Sequence, residues 1–366
     1  MKAITYKEGY LMNWKRTMML GKFTVMIMLL LFIAAGCGGE KPASGSASKD
    51  SGGGDKVDEI DISVTHYPTG LYAVPYDVGI DQGFFEEEGI KINKIVGSGG
   101  GGTTVRNVLS GDLPFGDVST SAVLQSYLAG APLKIVSGGV QSVSDLVYVT
   151  RPDADIEKVE DMVGKTWAFT NPGSVTETTS QLIFDSNGID PKTLKLVASG
   201  GVSEGLTMLQ AGEVDATLMM EPAYSVQKDD WKTLFRVSDH VPNYQQSVII
   251  TSPQLIKENP DLVKRFLTAY QKSVEWTYAN PEEAGKIFAK SAEIDEAASV
   301  AAIKDLADKK HWNSKIELDS INNVVKGMQM ANTLKKGQEI VWDEVLNMDF
   351  LPDDQRLDPS KLDTNK

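Results

Sequence analysis

The sequence predicts an α/β protein built from two similar lobes, and three observations carry that prediction. From Glu59 onward, short β-branched runs alternate with longer amphipathic stretches, the pattern of helices covering a mostly parallel sheet. The stretch VGSGGGGTTVRNVLSGDL, residues 96–113, aligns without a gap on VASGGVSEGLTMLQAGEV, residues 197–214. Val96, Ser98, Gly99, Gly100 and Gly111 recur as Val197, Ser199, Gly200, Gly201 and Gly212, and Asp112 recurs as Glu213. One duplication at that spacing fits two lobes, whereas a solenoid needs a shorter period repeated at least three times. Third, the strand-like runs DLVYVT (145–150) and SVIITS (247–252) read as the two crossings of a hinge. They predict a first lobe from 59–146 plus 250–350, a second from 147–249, and a C-terminal tail at 351–366.

The chain opens with a targeting segment, residues 1–36. Lys15, Arg16 and Lys22 precede the apolar run FTVMIMLLLFIAA, which is short for a membrane span, and small residues follow at Ala34, Ala35 and Gly36. Translation starts at Met1 or at Met12, since MNWKR also makes a basic head. Cys37 is the single cysteine, so an intramolecular disulfide is impossible. AAGC resembles the lipobox of bacterial lipoproteins, in which the cysteine is acylated and becomes the mature N-terminus; Ala34 stands where leucine is usual. The alternative is an export signal with a chance cysteine. Residues 37–58 are rich in Gly and Ser and charged, a flexible tether reaching roughly 25 Å.

Charge narrows the partners. Lys2, Lys7, Lys15, Arg16 and Lys22 against Glu8 give the first 37 residues a net of +4, which leaves −18 for the remainder of a chain whose total is −14. Such an acidic body disfavours nucleic acid and anionic lipid surfaces. Hydrophobic residues at 41% suit ordinary globular cores.

Within the first lobe, polar and glycine-rich turns follow the predicted strands at THYPTG (65–70), GSGGGGTT (97–104) and GDVSTSAV (116–123). The second lobe has TNPGSVTET (170–178), ASGGVSE (198–204) and MMEPAYS (219–225). In open α/β sheets ligands sit outside the carboxyl ends of strands, where such turns let backbone amides approach. GSGGGGTT lacks the lysine of a phosphate-binding loop and the acid of a dinucleotide site, Asp117 being the nearest candidate. Ser174 and Glu177 have capping-box spacing. A cap and a ligand role are compatible there, because a helix N-terminus offers free amides and partial positive charge to an anion. NPDL at 259 and NPEE at 280 start helices with Asn at the cap and Pro inside it, and Phe266, Tyr270, Val274 and Trp276 are expected to pack in the core.

Catalytic and metal chemistry have no visible constellation. His66, His240 and His311 are scattered, no GxSxG or HExxH occurs, and Asp229 with Asp230 lies in a charged stretch. Neither a metal nor a cofactor is expected, and no enzymatic activity.

The strand and YP turn at Tyr67, then GFFEEEGIKI, GGGGTTVRNVLSGDLPFGDV, VGKTWAFTNPGS and GEVDATLMMEPAY, resemble the solute receptors of the nitrate, sulfonate and taurine ABC-transporter family. That family also includes receptors for thiamine-pyrimidine precursors and riboflavin. The resemblance spans roughly residues 60–345. It implies a two-lobed, periplasmic-binding-protein-like fold of type II that closes on one small solute and delivers it to ABC permease subunits. It implies an extracytoplasmic monomer, held to the membrane by a lipid on Cys37. Carried over by position, it implies a cleft lined by Tyr67, Gly100, Thr103, Ser119, Thr120, Asn171, Ser174, Val175, Thr176 and Glu221. Glu221 could pair with an amine, hydrogen-bond a pyrimidine, or with Pro222 simply shape the turn. The ligand class is a small organic anion or zwitterion, with a pyrimidine or flavin precursor as the alternative. A secreted enzyme acting on a small anionic substrate is the rival from another class.

Overall fold

The computed structural model describes residues 57–365. The leader, Cys37 and nearly all of the tether lie outside them.

Among the described residues ten strands form a five-stranded sheet and a second layer made of a three-stranded and a two-stranded sheet: β1 (Asp58–Thr65), β2 (Ile90–Ser98), β3 (Gly116–Ser119), β4 (Lys134–Gly138), β5 (Leu146–Thr150), β6 (Thr166–Phe169), β7 (Lys195–Ala198), β8 (Thr217–Met220), β9 (Lys232–Arg236) and β10 (Ser247–Thr251). The first sheet has the order β2-β1-β3-β10-β4. β1 runs parallel to β2 and β3, while β10 is antiparallel to β3 and β4. In the second, β8-β5-β9 is antiparallel and β6-β7 is parallel. A parallel bridge between Trp167 and Ala216 joins them. Read across that bridge the order is β7-β6-β8-β5-β9, the same path with the antiparallel strand in the same place.

The internal repeat therefore has a structural meaning. β2, the helix Gly101–Leu109 and β3 correspond to β7, the helix Val202–Gln210 and β8. The helix limits and the second strand of each copy keep the same offset along the chain. The cap residues Gly100 and Gly201 are both fully extended, with φ of 175° and −175°.

Each lobe borrows its antiparallel strand from the far side of a crossing. DLVYVT and SVIITS are thus not the crossings themselves. β5 and β10 are buried along their whole length and paired on both edges. Such apolar runs need two neighbours to satisfy their backbone groups. The chain passes between the sheets just upstream of each, between Gly138 and Leu146 and between Arg236 and Ser247.

After β10 the chain is helical. Pro260–Ala279 starts at Asn259, whose side chain accepts from the Leu262 amide at 3.1 Å. Phe266 on this helix stacks on Phe115 with centroids 3.8 Å apart, and Tyr270 sits 5.2 Å from Tyr76, which ties the late helices to the first sheet. Val274 is buried as well, and Trp276 is half-buried. The second lobe centres on Trp167, whose indole N–H donates to Tyr148 Oη at 3.0 Å and Ser180 Oγ at 2.9 Å. The helix Leu318–Met330 packs against Val175–Ser186 of the second lobe as well as Thr120–Leu128 of the first. At their contact a Cβ on Gly327 would come within 2.9 Å of the Thr178 carbonyl. Residues 351–365 are no loose tail: Leu351 and Leu362 are buried, and the Trp342 indole donates to the Asp363 carbonyl at 2.8 Å.

Candidate ligand-binding cleft

A cavity of about 540 Å³ lies at the carboxyl ends of the parallel strands, with walls from both sheets. Four helices begin at its wall. Gly101–Leu109 and Thr120–Leu128 come from the first lobe, capped by Gly100 and Ser119. Val175–Ser186 and Val202–Gln210 come from the second, capped by Ser174 and Gly201. Each is nine residues or longer. Their first amides have no intrahelical acceptor, so four partial positive charges converge on one space. The helices of the first lobe approach closely: a Cβ on Gly101 would lie 2.6 Å from Ala122 Cβ and 2.7 Å from Ser119 Oγ.

The turn TNPGS is tied internally. Ser174 Oγ accepts from the Glu177 amide at 3.2 Å and contacts Thr176 Oγ1 at 2.8 Å. Thr176 Oγ1 accepts from the Thr170 amide at 2.9 Å. Glu177 completes only part of a capping box, because it accepts from the Gly173 amide at 2.6 Å and not from the cap residue. Burial raises its carboxyl pKa, and that hydrogen bond opposes the shift. The Val175 and Thr176 amides, at the first two helical positions, remain for a ligand.

Of the expected residues, Gly100, Thr103, Ser119, Asn171, Ser174, Val175 and Thr176 line this cavity together. Tyr67, Thr120 and Glu221 do not. Tyr67 Oη turns to Ser291 Oγ at 3.3 Å. Thr120 is fully buried, its amide donating to the Gln246 carbonyl at 3.1 Å. Glu221 is buried and accepts from Arg236 Nη2 at 2.7 Å and from Ser225 Oγ at 2.7 Å. These partners hold it in the turn beyond β8.

The lining includes residues that the sequence motifs do not mark. Arg106 follows Thr103 by one helical turn and donates to its Oγ1 at 2.8 Å. Among the described residues it is the only Arg or Lys in the lining, and no Asp or Glu is there. His66, at φ 63°, and the buried Tyr72 form an aromatic corner with ring centroids 6.4 Å apart. Desolvation lowers the His66 pKa and so favours the neutral ring. Leu146, Leu218 and Met220 give an apolar patch from β5 and β8, and Gln246 reaches the wall from the second crossing. Gln125 bridges the lobes, its Nε2 donating to the Gly173 carbonyl at 3.0 Å.

Two sheets of this topology with a polar cavity between them define a two-lobed solute-binding-protein fold. The chain belongs to the NMT1/THI5-like family, whose model matches residues 71–284. It is 23% identical over 334 residues to the formylaminopyrimidine-binding protein of Halalkalibacterium halodurans, covering 89% of this chain and 92% of that one. It is 23% identical over 288 residues to a putative aliphatic sulfonates-binding protein of Bacillus subtilis, covering 78% and 82%. Among solved structures, the alkanesulfonate-binding protein SsuA from Xanthomonas axonopodis pv. citri bound to MOPS superposes with a TM-score of 0.65 at 14% identity, covering 79% of this chain and 98% of that one.

Proposed function

We propose that the chain is an extracytoplasmic solute receptor of an ABC importer, anchored through a lipid on Cys37, which closes its lobes on a small organic anion. The observation that carries this is the wall of the cavity: four helix N-termini and one arginine, with no carboxylate. Helix N-termini and arginine both favour an anionic group, and neither needs to move to meet it. The names of the relatives, binding proteins for sulfonates and for a pyrimidine, support receptor function. Among the described residues no helix is long and apolar enough to cross a membrane.

Size and charge refine the ligand class. At about 540 Å³ the cavity has the dimensions of an organic-ligand site, so nitrate would leave most of it unfilled. A taurine-like zwitterion needs a counter-charge for its ammonium, and the acid expected for that task is committed to Arg236. The apolar patch of Leu146, Leu218 and Met220 instead suits an uncharged organic body. Against the enzyme alternative stand the names of the relatives, which are binding proteins.

Calorimetric titration of the protein, freed of co-purified solute, with benzenesulfonate, benzoate, taurine and nitrate tests this. Binding of an aryl anion, tighter than taurine or nitrate, is expected. Absence of binding by both aryl anions, or turnover of either without a partner protein, would overturn it.

A further inference from the structure

The four helix N-termini at the cavity wall are not equivalent. Both helices of the second lobe carry an acid of their own in the first turn, Glu177 and Glu204, and neither helix of the first lobe does. Glu177 accepts from the Gly173 amide, and the Glu204 carboxylate folds back so far that a Cβ on Gly201 would overlap it. These carboxylates offset the positive ends of their helices. In the gapless repeat, Thr103 and Arg106 of the first lobe stand where the second has Glu204 and Thr207, so the two copies share a backbone path and differ in charge.

The first-lobe pair is furnished with donors instead. The Gly101 and Gly102 amides have no acceptor among the described residues. Ser119 is 8% exposed and caps Thr120–Leu128 without the usual side-chain bond to its helix. Its Oγ has no hydrogen-bond partner among the described residues, yet it is not one of the polar atoms shut off from solvent. That oxygen lies beside the start of the other helix, 2.7 Å from where a Cβ on Gly101 would stand. At the next residue, a Cβ on Gly102 would lie 3.6 Å from Arg106 Nη1. A hydroxyl and a guanidinium thus flank one turn of free amides, and all four residues line the cavity.

We infer that the anionic group of the solute is held by the first lobe, in a subsite made by the Gly101 and Gly102 amides, Ser119 Oγ and Arg106, while the second lobe closes over the uncharged body with Leu218 and Met220. This inference rests on the reading of the cleft as an organic-anion site. Amides, hydroxyl and guanidinium can all donate, and charge-assisted bonds of this kind are the strong ones, so the subsite selects an ionised group. Because every member belongs to one lobe, the charge is recognised before the lobes close.

The test is calorimetric titration with benzenesulfonate and benzoate of the wild-type protein, Ser119→Ala and Glu204→Gln, beside thermal melts of each without solute. Ser119→Ala should bind the aryl anions about tenfold more weakly and melt at the wild-type temperature, because its hydroxyl holds nothing else in place. Glu204→Gln should bind them within about threefold of wild type, since the acid it removes lies on the lobe that does not hold the charge. Unchanged affinity in Ser119→Ala overturns the inference. So does a loss that comes with a lowered melting temperature, which assigns Ser119 to packing. A gain of about tenfold or more in Glu204→Gln would move the anionic group to the second lobe, overturning the inference while leaving the anion site standing. Binding of neither probe by the wild-type protein removes the anion reading and this inference with it.

Discussion

Gly173, in the second lobe, presents its carbonyl across the cleft to Ser121 Oγ of the first lobe at 2.9 Å. Gln125 Nε2, one helical turn further along, donates to the same oxygen at 3.0 Å. Gly173 has φ 79°, and a Cβ there would overlap the Gln125 amide, so the turn needs glycine both for its backbone and for the contact. Two donors from one lobe on an acceptor of the other form a latch beside the cavity. Ser121→Ala with Gln125→Ala should loosen the closed arrangement. With each bond worth about 1 kcal/mol net, affinity for the tightest aryl anion should fall about tenfold or more. Stopped-flow measurement should place the loss in the dissociation rate. An unchanged dissociation rate would show that the latch does not hold the lobes.

Ser174 and Thr176 are engaged within their own turn, and that changes what their removal tests. Ser174→Ala deletes a cap and should cost about 1 kcal/mol of stability. Thr176→Ala removes the acceptor of the Thr170 amide. Because the Val175 and Thr176 amides stay in place, affinity should weaken without vanishing. Thermal melts and titrations on the double variant separate the two effects. Lowered stability with unchanged affinity would confine this turn to capping.

Arg106 is exposed, and among the described residues it has no carboxylate partner. Replacing it with Gln removes the one cationic side chain of the lining. A charged hydrogen bond contributes roughly 1.5 to 3 kcal/mol, so affinity for aryl anions should drop by about tenfold to a hundredfold, with a weaker dependence on salt. Arg106→Lys should recover part of it. A salt dependence identical in wild type and Arg106→Gln would place the anionic group away from this residue.

Much of this architecture is legible in the sequence, and the exceptions have physical reasons. The gapless repeat holds because both copies perform one task, turning a strand end into a helix N-terminus at the cavity wall through Gly100 and Gly201. Seven of the ten expected cleft residues lie on such turns and meet there. Glu221 does not, because its environment is set by Arg236 at the end of β9, on the far side of β5, and no local pattern reveals that the two will pair. Gln246 and Tyr72 stand on a crossing and on the short turn Leu71–Ala73, which carry no periodic signal. Arg106 did have one: it sits three residues after Thr103 on a helix that opens at the glycine loop, hence on the same face. The crossings fall upstream of their expected positions because strand-like runs announce sheet interiors, while the connections that bend are short and unremarkable in composition.

The membrane anchor is tested at Cys37. If the cysteine is acylated after cleavage behind AAG, Cys37→Ser should block lipoprotein maturation and shift the protein from the membrane fraction. Mass spectrometry of wild-type protein from its native host should show a lipid-modified N-terminal cysteine. Recovery with an uncleaved leader and free thiol would count against the anchor.

Asp145 sits where the chain first crosses between the lobes, and its surroundings make stability depend on pH. Burial pushes its carboxyl up to about 7 despite the bond from Gln246, with Glu221 adding to the shift and Arg236 opposing it. Asp77 and Asp117 are likewise raised to about 7 by burial. His311, whose Nε2 lies 4.0 Å from Asp145 Oδ1, is pushed down to about 3 by burial and so stays neutral. An acid raised in the folded state binds more protons there than in the unfolded chain. Its contribution is complete below the unfolded value near 4 and is lost as pH rises through about 7. The buried histidine acts in the other direction, losing stability as pH falls from about 6.5 toward 3. Between pH 7 and 8 the histidine is mostly neutral in both states, so the aspartates dominate and the melting temperature should fall as pH rises. Asp145→Asn keeps an acceptor for Gln246 Nε2 and removes one ionisation. Its melting temperature should therefore decline less steeply than that of the wild type across that window. Parallel curves would mean that Asp145 is ionised in the folded protein throughout, held so by Arg236 against the cost of burial.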